Sequence, residues 1–128
     1  MKLLLDTHAL IWWLDDYARL SAAARAAISD EHNDIFVSAA TAWELATKVR
    51  KGKLPIAVRL VVEFHALLAA EEFEPLAITT AHGLLAGGLP EDHKDPFDRM
   101  IVAQAIVEKM SVVSVDPAIA RLGAPVVW

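Results

Sequence analysis

The chain has 128 residues and a mass of 14.0 kDa, a size at which we expect residues 1–128 to form one domain. Hydrophobic residues make up 55% and charged residues 23%, which excludes a disordered chain, and the lack of cysteine excludes disulfides, thiolate zinc sites and cysteine nucleophiles. A net charge of −5 argues against a broad basic surface for nucleic acid.

The chain begins with a short apolar run that ends at an aspartate. Lys2–Leu5 is typical of a buried strand. Asp6 interrupts the run before the apolar segment of a secretion signal can form, and it is well placed to cap a helix over Thr7–Leu14. A second, alanine-rich helix is predicted over Ser21–Ser29, with Ser21 as its cap.

The next strand and helix lead into a cluster of positive charges. Ile35–Val37 predicts a buried strand. Ser38 begins a helix that runs to about Lys51, where Gly52 ends it and a proline follows. The cluster is either a solvated helix end that complements the helix dipole or a local phosphate-binding edge. Its members are Lys48, Arg50, Lys51 and Lys53.

The second half of the chain continues the alternation of helices and strands. Helices are predicted over Val58–Ala70, Thr79–Ala86, Phe97–Lys109 and Pro117–Arg121. Strands are predicted at Val112–Val115 and Val126–Val127. The longest uncharged run, Pro75–Pro90, contains three glycines and is shorter than the ~20 apolar residues of a membrane span. We therefore expect a cytoplasmic protein with no membrane segment.

Near-continuous apolar strands that alternate with helices indicate an α/β fold. The expected architecture is a central parallel sheet covered by helices on both faces. In such folds the functional residues lie beyond the carboxyl ends of the strands. The strands at Lys2–Leu5 and Val112–Val115 are each followed by an aspartate, so Asp6 and Asp116 are expected at the same edge of one sheet.

Each acidic residue near this edge also has a purely structural explanation. Three aspartates stand where helix caps are expected, two of them directly before a proline: Asp6, Asp95 and Asp116. Asp98 falls at the third position of its helix, where a carboxylate complements the helix dipole. Glu44 and Lys48 have the spacing of an ordinary surface ion pair on a helix.

Taken together, the acids indicate more than caps. Glu44 lies about two turns into a helix that starts at the same sheet edge as Asp6 and Asp116. The helix that contains Asp98 is able to reach that place as well. Four carboxylates around one point repel one another unless a cation neutralises them. Ligation by oxygen alone suits Mg²⁺ or Mn²⁺, and such sites suit phosphodiester hydrolysis.

Four blocks of the sequence carry a family resemblance. They are Leu3–Trp13 (LLLDTHALIWW), Val37–Lys48 (VSAATAWELATK) followed by Gly52–Leu54, His93–Ala105 (HKDPFDRMIVAQA), and the weaker Ser114–Asp116. In order and spacing they cover nearly the whole chain, and the first and third blocks are highly specific as a pair. The chain resembles the PIN-domain ribonucleases, specifically the VapC toxins of bacterial toxin–antitoxin pairs.

The resemblance implies a set of metal-binding acids. They are Asp6, Glu44, Asp98 and Asp116. Asp98 is preferred over Asp95 because the family pattern sets the acid just before an apolar helical stretch; Asp95 is then a cap near the site, or alternatively the ligand itself. Ser114 stands where members often carry threonine, and the hydroxyls of Thr7 and Ser114 are expected to hydrogen-bond to the acids.

The same resemblance implies a mechanism and partners. The three aspartates hold one or two Mg²⁺ or Mn²⁺ ions, and Glu44 helps to hold or orient the water that attacks single-stranded or loop RNA. Lys48 and Arg99 are candidates for contact with an RNA phosphate, with structural ion pairing as the alternative. The implied partners are a VapB-type antitoxin, which blocks the acidic cleft, and a second copy of the chain.

Other functions fit the sequence less well. The histidines lack the paired spacing of a zinc hydrolase, and packing or exposure explains His8 and His93 more simply than a role beside the acids. A phospho-accepting receiver domain needs an acid pair after the first strand, where Asp6 is followed by threonine. A DNA-directed nuclease would use the same metal chemistry, but its usual DNA-gripping additions have no room here. The remaining alternative is a catalytically degenerate PIN scaffold that acts through protein contacts.

Overall fold

The computed structural model describes residues 1–90 and 92–128. Within these residues the strands are β1 (Lys2–Leu5), β2 (Asp34–Ser38), β3 (Glu74–Leu76), β4 (Ser111–Val113) and β5 (Val126–Val127). The helices are α1 (Thr7–Asp15), α2 (Ala22–Ser29), α3 (Ala39–Arg50), α4 (Ala57–Val62), α5 (Phe64–Ala70), α6 (Thr80–Gly88), α7 (Pro96–Glu108) and α8 (Pro117–Arg121). A short 3-10 helix, Tyr17–Arg19, follows α1.

The strands form one parallel sheet in the order β3-β2-β1-β4-β5. β1 lies at its centre, where Leu5 is in register with Val37 of β2 and Val113 of β4. Parallel neighbours need crossover connections, which place helices over the faces of the sheet. The expected α/β fold with a central parallel sheet and helices around it is confirmed.

The side chains of β1 face two separate parts of the hydrophobic core. Leu3 and Leu5 are fully buried in a cluster with residues from α1 to α5. Leu4 is fully buried on the opposite face, where it packs with residues of α7 and α8 such as Ile101 and Ile119. Burying each leucine contributes roughly 1.5–3 kcal/mol. Burial on both faces explains why this strand is a continuous apolar run rather than an alternating one.

One strand of the sheet is not predicted by the sequence pattern. β3 contains Pro75 and lies at the outer edge beside β2, where Glu74 is in register with Phe36. Proline has no N–H to donate to a neighbouring strand and is tolerated at a sheet edge. Pro75 therefore explains both why the sequence pattern does not predict this strand and why the strand lies at the edge of the sheet.

The single helix predicted over Val58–Ala70 is wrong, because the chain forms α4 and α5 there. Glu63 separates them with φ −110° and ψ 22°, outside the helical region. The apolar spacing continues across this break, so periodicity alone could not locate it. Among the helices of the described residues, none combines the length and the apolar character that a bilayer crossing needs.

Three helices begin within a few residues of the carboxyl ends of strands, at the edge where the site is expected. The N-terminus of α1 is capped by Asp6, whose Oδ1 accepts from the Ala9 N–H at 2.8 Å. Ser38 caps α3, and Asp116 caps α8. Such caps satisfy N–H groups that have no partner within the helix. The positive ends of these helix dipoles therefore face this edge.

Candidate active site

Four carboxylates that are distant in sequence come together beyond the sheet. Asp6 directly follows β1, and its backbone N–H donates to the Val113 carbonyl of β4 at 3.1 Å, which places it near Asp116. Glu44 lies in α3 and Asp98 in the first turn of α7, and these two helices pack against each other. The parallel sheet and the packing of α3 on α7 thus bring the acids to one place.

A cavity of about 150 Å³ collects these residues. It is lined by Asp6, Thr7, His8, Glu44, Lys48, Asp95, Asp98, Val115 and Asp116. Five of these residues carry carboxylates, and Lys48 is the only lysine or arginine among the lining residues that the structure describes. Two further predicted residues, Ser114 and Arg99, are not part of this lining. The cavity is strongly acidic.

Asp6 is nearly buried, with 7% of its surface exposed. Burial raises the pKa of this carboxyl, and the negative charge of Glu44 raises it further. Hydrogen bonds from the Ser114 hydroxyl and the Ala9 N–H, together with the charge of His8, act in the opposite direction. The net direction is upward, so the folded chain holds Asp6 in an environment that disfavours its charge.

Glu44 is held by two side chains from different directions. Its Oε1 accepts from the Thr7 hydroxyl at 2.7 Å, and the same hydroxyl lies 3.2 Å from that of Thr41. Its Oε2 accepts from Lys48 Nζ at 2.8 Å. Thr7 belongs to α1 and Glu44 to α3, so this contact ties the two helices together beside the cavity.

Asp98 contacts a histidine that sequence reasoning had set aside. Nε2 of His93 lies 2.9 Å from Oδ2 of Asp98, and both side chains are largely buried. Burial raises the pKa of Asp98, the hydrogen bond to His93 lowers it, and the charges of Asp95 and Asp116 raise it again. The net shift is upward. The sequence feature that could have predicted this contact is the spacing of His93 and Asp98, which lie five residues apart on either side of the cap residue Asp95.

Asp95 and Asp116 line the cavity and also cap helices. Asp95 Oδ1 accepts from the N–H groups of Phe97 and Asp98 at 2.9 and 3.3 Å. Asp116 Oδ1 accepts from the Ala118 N–H at 2.9 Å. The backbone N–H of Asp116 in turn donates to the buried Ser114 hydroxyl oxygen at 3.0 Å. The capping explanation and the ligand explanation are therefore compatible for these residues.

Arg99 holds the backbone between α6 and α7. Its Nε donates to the Ala86 carbonyl at 3.0 Å and its Nη1 to the His93 carbonyl at 3.1 Å. Nη2 donates to the Gly87 and Leu89 carbonyls at 3.4 and 2.8 Å. The structure thus gives Arg99 a backbone-binding role that the sequence pattern did not predict. Its contact with RNA stays a prediction.

The donor set of the cavity has the chemistry of a hard divalent cation site. Carboxylate oxygens are the preferred ligands of Mg²⁺ and Mn²⁺. Burial, followed by the charges of neighbouring carboxylates, raises the pKa values of Asp6 and Asp98, so both charges are disfavoured in the chain by itself. Across residues 1–90 and 92–128, no three acidic or histidine side chains are spaced to ligate one ion as they stand. The assignment of the four acids as ligands stays a prediction.

A larger groove of about 570 Å³ lies beside the acidic cavity and shares His8, Val115 and Asp116 with it. Its wall includes Trp12, with the Arg19 guanidinium 4.5 Å from the ring centroid. Leu54 and Ile56 contribute apolar surface, and Asp15 and Asp16 contribute negative charge. The acidic cavity therefore opens next to a wider groove with a mostly apolar lining.

Comparisons with known proteins address the family directly. A family model described as PIN domain matches residues 3–125. Ribonuclease VapC22 of Mycobacterium tuberculosis (strain ATCC 25618 / H37Rv) is 36% identical to this chain over 115 residues, which cover 88% of this chain and 85% of that protein. The residues that the family model matches include all five carboxylate residues of the cavity.

Two solved structures have a similar fold. The chain matches VapBC2 from Rickettsia felis, crystallised with a DNA fragment from its promoter, with a TM-score of 0.73 and 16% identity over 98% of this chain and 97% of that one. FitAcB from Neisseria gonorrhoeae matches with a TM-score of 0.67 and 18% identity over 97% and 95% of the two chains. At these identities the likeness concerns the fold alone. The fold, the family model and the curated relative agree, and the chain belongs to the PIN domain family.

Proposed function

We propose that this chain is a metal-dependent endoribonuclease that acts as the toxin of a toxin–antitoxin pair. The observation that carries the proposal is the meeting of Asp6, Glu44, Asp98 and Asp116 in one cavity. A relative with 36% identity over 88% of this chain is named a ribonuclease. Clustered carboxylates suit phosphodiester hydrolysis because the divalent cations that they would hold stabilise the attacking and leaving oxygens.

The four acids would hold one or two Mg²⁺ or Mn²⁺ ions. When bound, such ions offset the negative charge of a phosphodiester and of its transition state. The direction of the pKa shifts at Asp6 and Asp98 supports this assignment, because burial and neighbouring carboxylates disfavour both charges in the chain by itself. A cation in the cavity would reverse that penalty.

The chain's own residues fix the geometry of the acids. Asp6 and Asp116 are each anchored through Oδ1 at a helix N-terminus, which limits their rotation. His93 holds Oδ2 of Asp98. Thr7 holds Oε1 of Glu44, a buried carboxylate that would help to hold or orient the attacking water. Carboxylates that are already fixed lose less conformational entropy when the substrate binds, so the entropic cost of reaching the reactive geometry is smaller.

The substrate that fits this proposal is single-stranded or loop RNA. The cavity has a volume of about 150 Å³, which is too small to admit an RNA duplex. A single strand or a loop is flexible, and its unstacked nucleotides can bring one phosphodiester into the cavity. A VapB-type antitoxin would inhibit the enzyme by covering the acidic cavity and its neighbouring groove. The fold match to a VapBC assembly supports this partner. We further propose that the chain pairs with a second copy of itself and acts in the cytoplasm.

The test is cleavage of total RNA by the antitoxin-free chain with Mn²⁺ or Mg²⁺, and with EDTA. Asp98→Asn keeps the shape of the side chain and removes its charge, and Asp92→Asn makes the same change at an exposed position outside the cavity. We expect metal-dependent cleavage by the wild type and by Asp92→Asn. We expect Asp98→Asn to lose more than the ~10–100-fold typical of a residue that only supports a ligand.

Each outcome has a definite meaning. Cleavage that requires the metal and vanishes with Asp98→Asn supports the ribonuclease. Folded wild-type protein that cleaves neither total RNA nor the RNA of cells in which it is expressed would favour the catalytically degenerate scaffold. Cleavage that persists in EDTA and in Asp98→Asn would reject the acidic cavity as its source.

A further inference from the structure

The ion pair between Lys48 and Glu44 differs from an ordinary surface pair. Nζ of Lys48 lies 2.8 Å from Oε2 of Glu44, and the two side chains are 28% and 11% exposed. The pair between Arg59 and Glu63 has the same helical spacing and a similar distance of 2.9 Å, but its side chains are 67% and 49% exposed. Partial burial strengthens the Coulomb attraction within the first pair, because water screens it less.

The position of Lys48 gives its charge a second consequence. Lys48 lines the acidic cavity, whereas Arg50, Lys51 and Lys53 of the same positive cluster are exposed outside it. In the metal-free chain Lys48 therefore supplies the positive charge that a divalent cation would supply to Glu44. Two cations close to one carboxylate oxygen repel each other, so the ammonium and the metal compete for Oε2.

We propose that Lys48 is an exchangeable internal counter-ion, which a divalent cation displaces from Glu44 and which then binds a phosphate of the RNA beside the scissile bond. This inference rests on the proposed function. A lysine side chain has a flexible four-carbon stem and a compact charge, so its ammonium can move between two anions without a change in the helix. Displacement leaves Lys48 as a free donor at the wall of the cavity, where the substrate phosphate arrives.

The exchange makes metal and RNA binding reinforce each other. A metal ion that binds Oε2 of Glu44 displaces Lys48, and RNA favours that displacement because it offers the ammonium a new anion. Metal therefore raises the affinity for RNA, and RNA raises the affinity for metal by the same factor. A permanent structural pair would make no such contribution to the coupling.

The test compares Lys48→Met and Lys48→Arg with the wild type and with Arg59→Met, which breaks the exposed pair of the same spacing. Binding of Mn²⁺ to the intact chain is measured by calorimetry. Binding of a fluorescent, single-stranded 2′-O-methyl oligonucleotide is measured by anisotropy with and without saturating Mn²⁺, and a gel checks that the oligonucleotide stays intact. Thermal melting confirms that each variant is folded.

We expect Lys48→Met to bind Mn²⁺ about threefold or more tightly than the wild type, because the competing cation is gone. We expect the factor by which Mn²⁺ raises oligonucleotide affinity to fall at least about fivefold in Lys48→Met and to be largely kept in Lys48→Arg. Arg59→Met should match the wild type in both measurements. Loss of a positive charge by itself explains tighter binding of Mn²⁺ by Lys48→Met. Exchange of Lys48 between Glu44 and RNA also predicts that Mn²⁺ raises the oligonucleotide affinity of this variant less than that of the wild type.

Equal coupling in the wild type and in Lys48→Met would overturn the exchange, and so would unchanged or weaker binding of Mn²⁺ by Lys48→Met. If that result accompanied metal-dependent RNA cleavage by the wild type, the inference would fail while the proposed function stood. Wild-type protein that neither binds the oligonucleotide nor cleaves RNA with Mn²⁺ would overturn both.

Discussion

Nε2 of His93 lies 2.9 Å from Oδ2 of Asp98, so a residue of the segment before α7 holds a carboxylate of the cavity. Arg99, the neighbour of Asp98 on α7, binds the carbonyl of His93 at 3.1 Å and thereby holds the backbone that carries the imidazole. The two contacts join one acid, one histidine and one arginine in a support that spans a short stretch of chain. Such outer contacts orient ligands at metal sites.

Replacing His93 tests this support. We expect His93→Ala to lower metal-dependent RNA cleavage by about 10–100-fold, because Asp98 loses the partner that fixes its orientation. His93→Gln, whose side-chain amide can still donate to Oδ2, should retain more activity. Cleavage rates at saturating metal are the measurement. His32→Ala changes an exposed histidine before β2 and serves as the control; equal rates for His93→Ala and the control would show that the contact is dispensable.

Replacing Arg99 tests the hold on the backbone. Arg99→Met removes hydrogen bonds to the carbonyls of four residues, from Ala86 to His93. Because a hydrogen bond from a charged group contributes about 1.5–3 kcal/mol, we expect the free energy of unfolding to fall by at least ~2 kcal/mol. Urea denaturation measures this change. Arg121→Met, at an exposed position in α8, should alter it by less than ~0.5 kcal/mol.

The raised pKa of Asp98 predicts how stability depends on pH. Between the ordinary value of 3.8 and the raised value, the folded chain keeps a proton that the unfolded chain has lost. The free energy of unfolding therefore falls as the pH rises through that window. In EDTA, Asp98→Asn should gain stability relative to the wild type as the pH rises from acid to neutral. Urea denaturation over that pH range measures the difference in free energy of unfolding between Asp98→Asn and the wild type. A difference that does not change with pH would contradict the raised pKa of Asp98.

Metal-induced stabilisation distinguishes Asp98 from Asp95 as the ligand. An ion that binds only the folded chain raises stability by about 2.7 kcal/mol at 100 times its dissociation constant. We expect Mn²⁺ to raise the melting temperature of the wild type and of Asp95→Asn, and to have little effect on Asp98→Asn. Differential scanning fluorimetry with and without Mn²⁺ makes the comparison. The reverse ranking of the two variants would assign the metal to Asp95.

The positive cluster after α3 gives a salt-dependence prediction. Charge reversal to glutamate at Lys51 and Lys53, both exposed, should weaken RNA binding. The slope of log affinity against log salt should become shallower by about 0.7 for each RNA phosphate that the variant no longer neutralises. The matched control reverses Lys2 and Lys109, which are exposed at the opposite edge of the sheet. An unchanged slope at Lys51 and Lys53 would leave the cluster as a solvated helix end.

Much of the fold and part of the site were predictable because they depend on local chemistry. Asp6, Asp95 and Asp116 cap the helices that directly follow them, and those hydrogen bonds span two or three residues. The apolar runs at β1 and β2 predict buried parallel strands, since each strand is covered on both faces. The parallel arrangement then places Asp6 and Asp116 at one edge of the sheet. In contrast, Pro75 concealed an edge strand, and continuous apolar spacing concealed the break at Glu63.

The sequence by itself determined the class of fold and several helix caps, because backbone periodicity and capping depend on residues only a few positions apart. The family resemblance selected the four acids that are proposed as ligands. Tertiary structure alone decided what each acid touches. Thr7 reaches Glu44 across 37 residues, and Arg99 directs its guanidinium to backbone carbonyls of a preceding segment. The physical reason is that side-chain partners and burial depend on how α1, α3 and α7 pack around the sheet. Packing also raises the pKa values of Asp6 and Asp98, since it determines how much water each carboxylate retains.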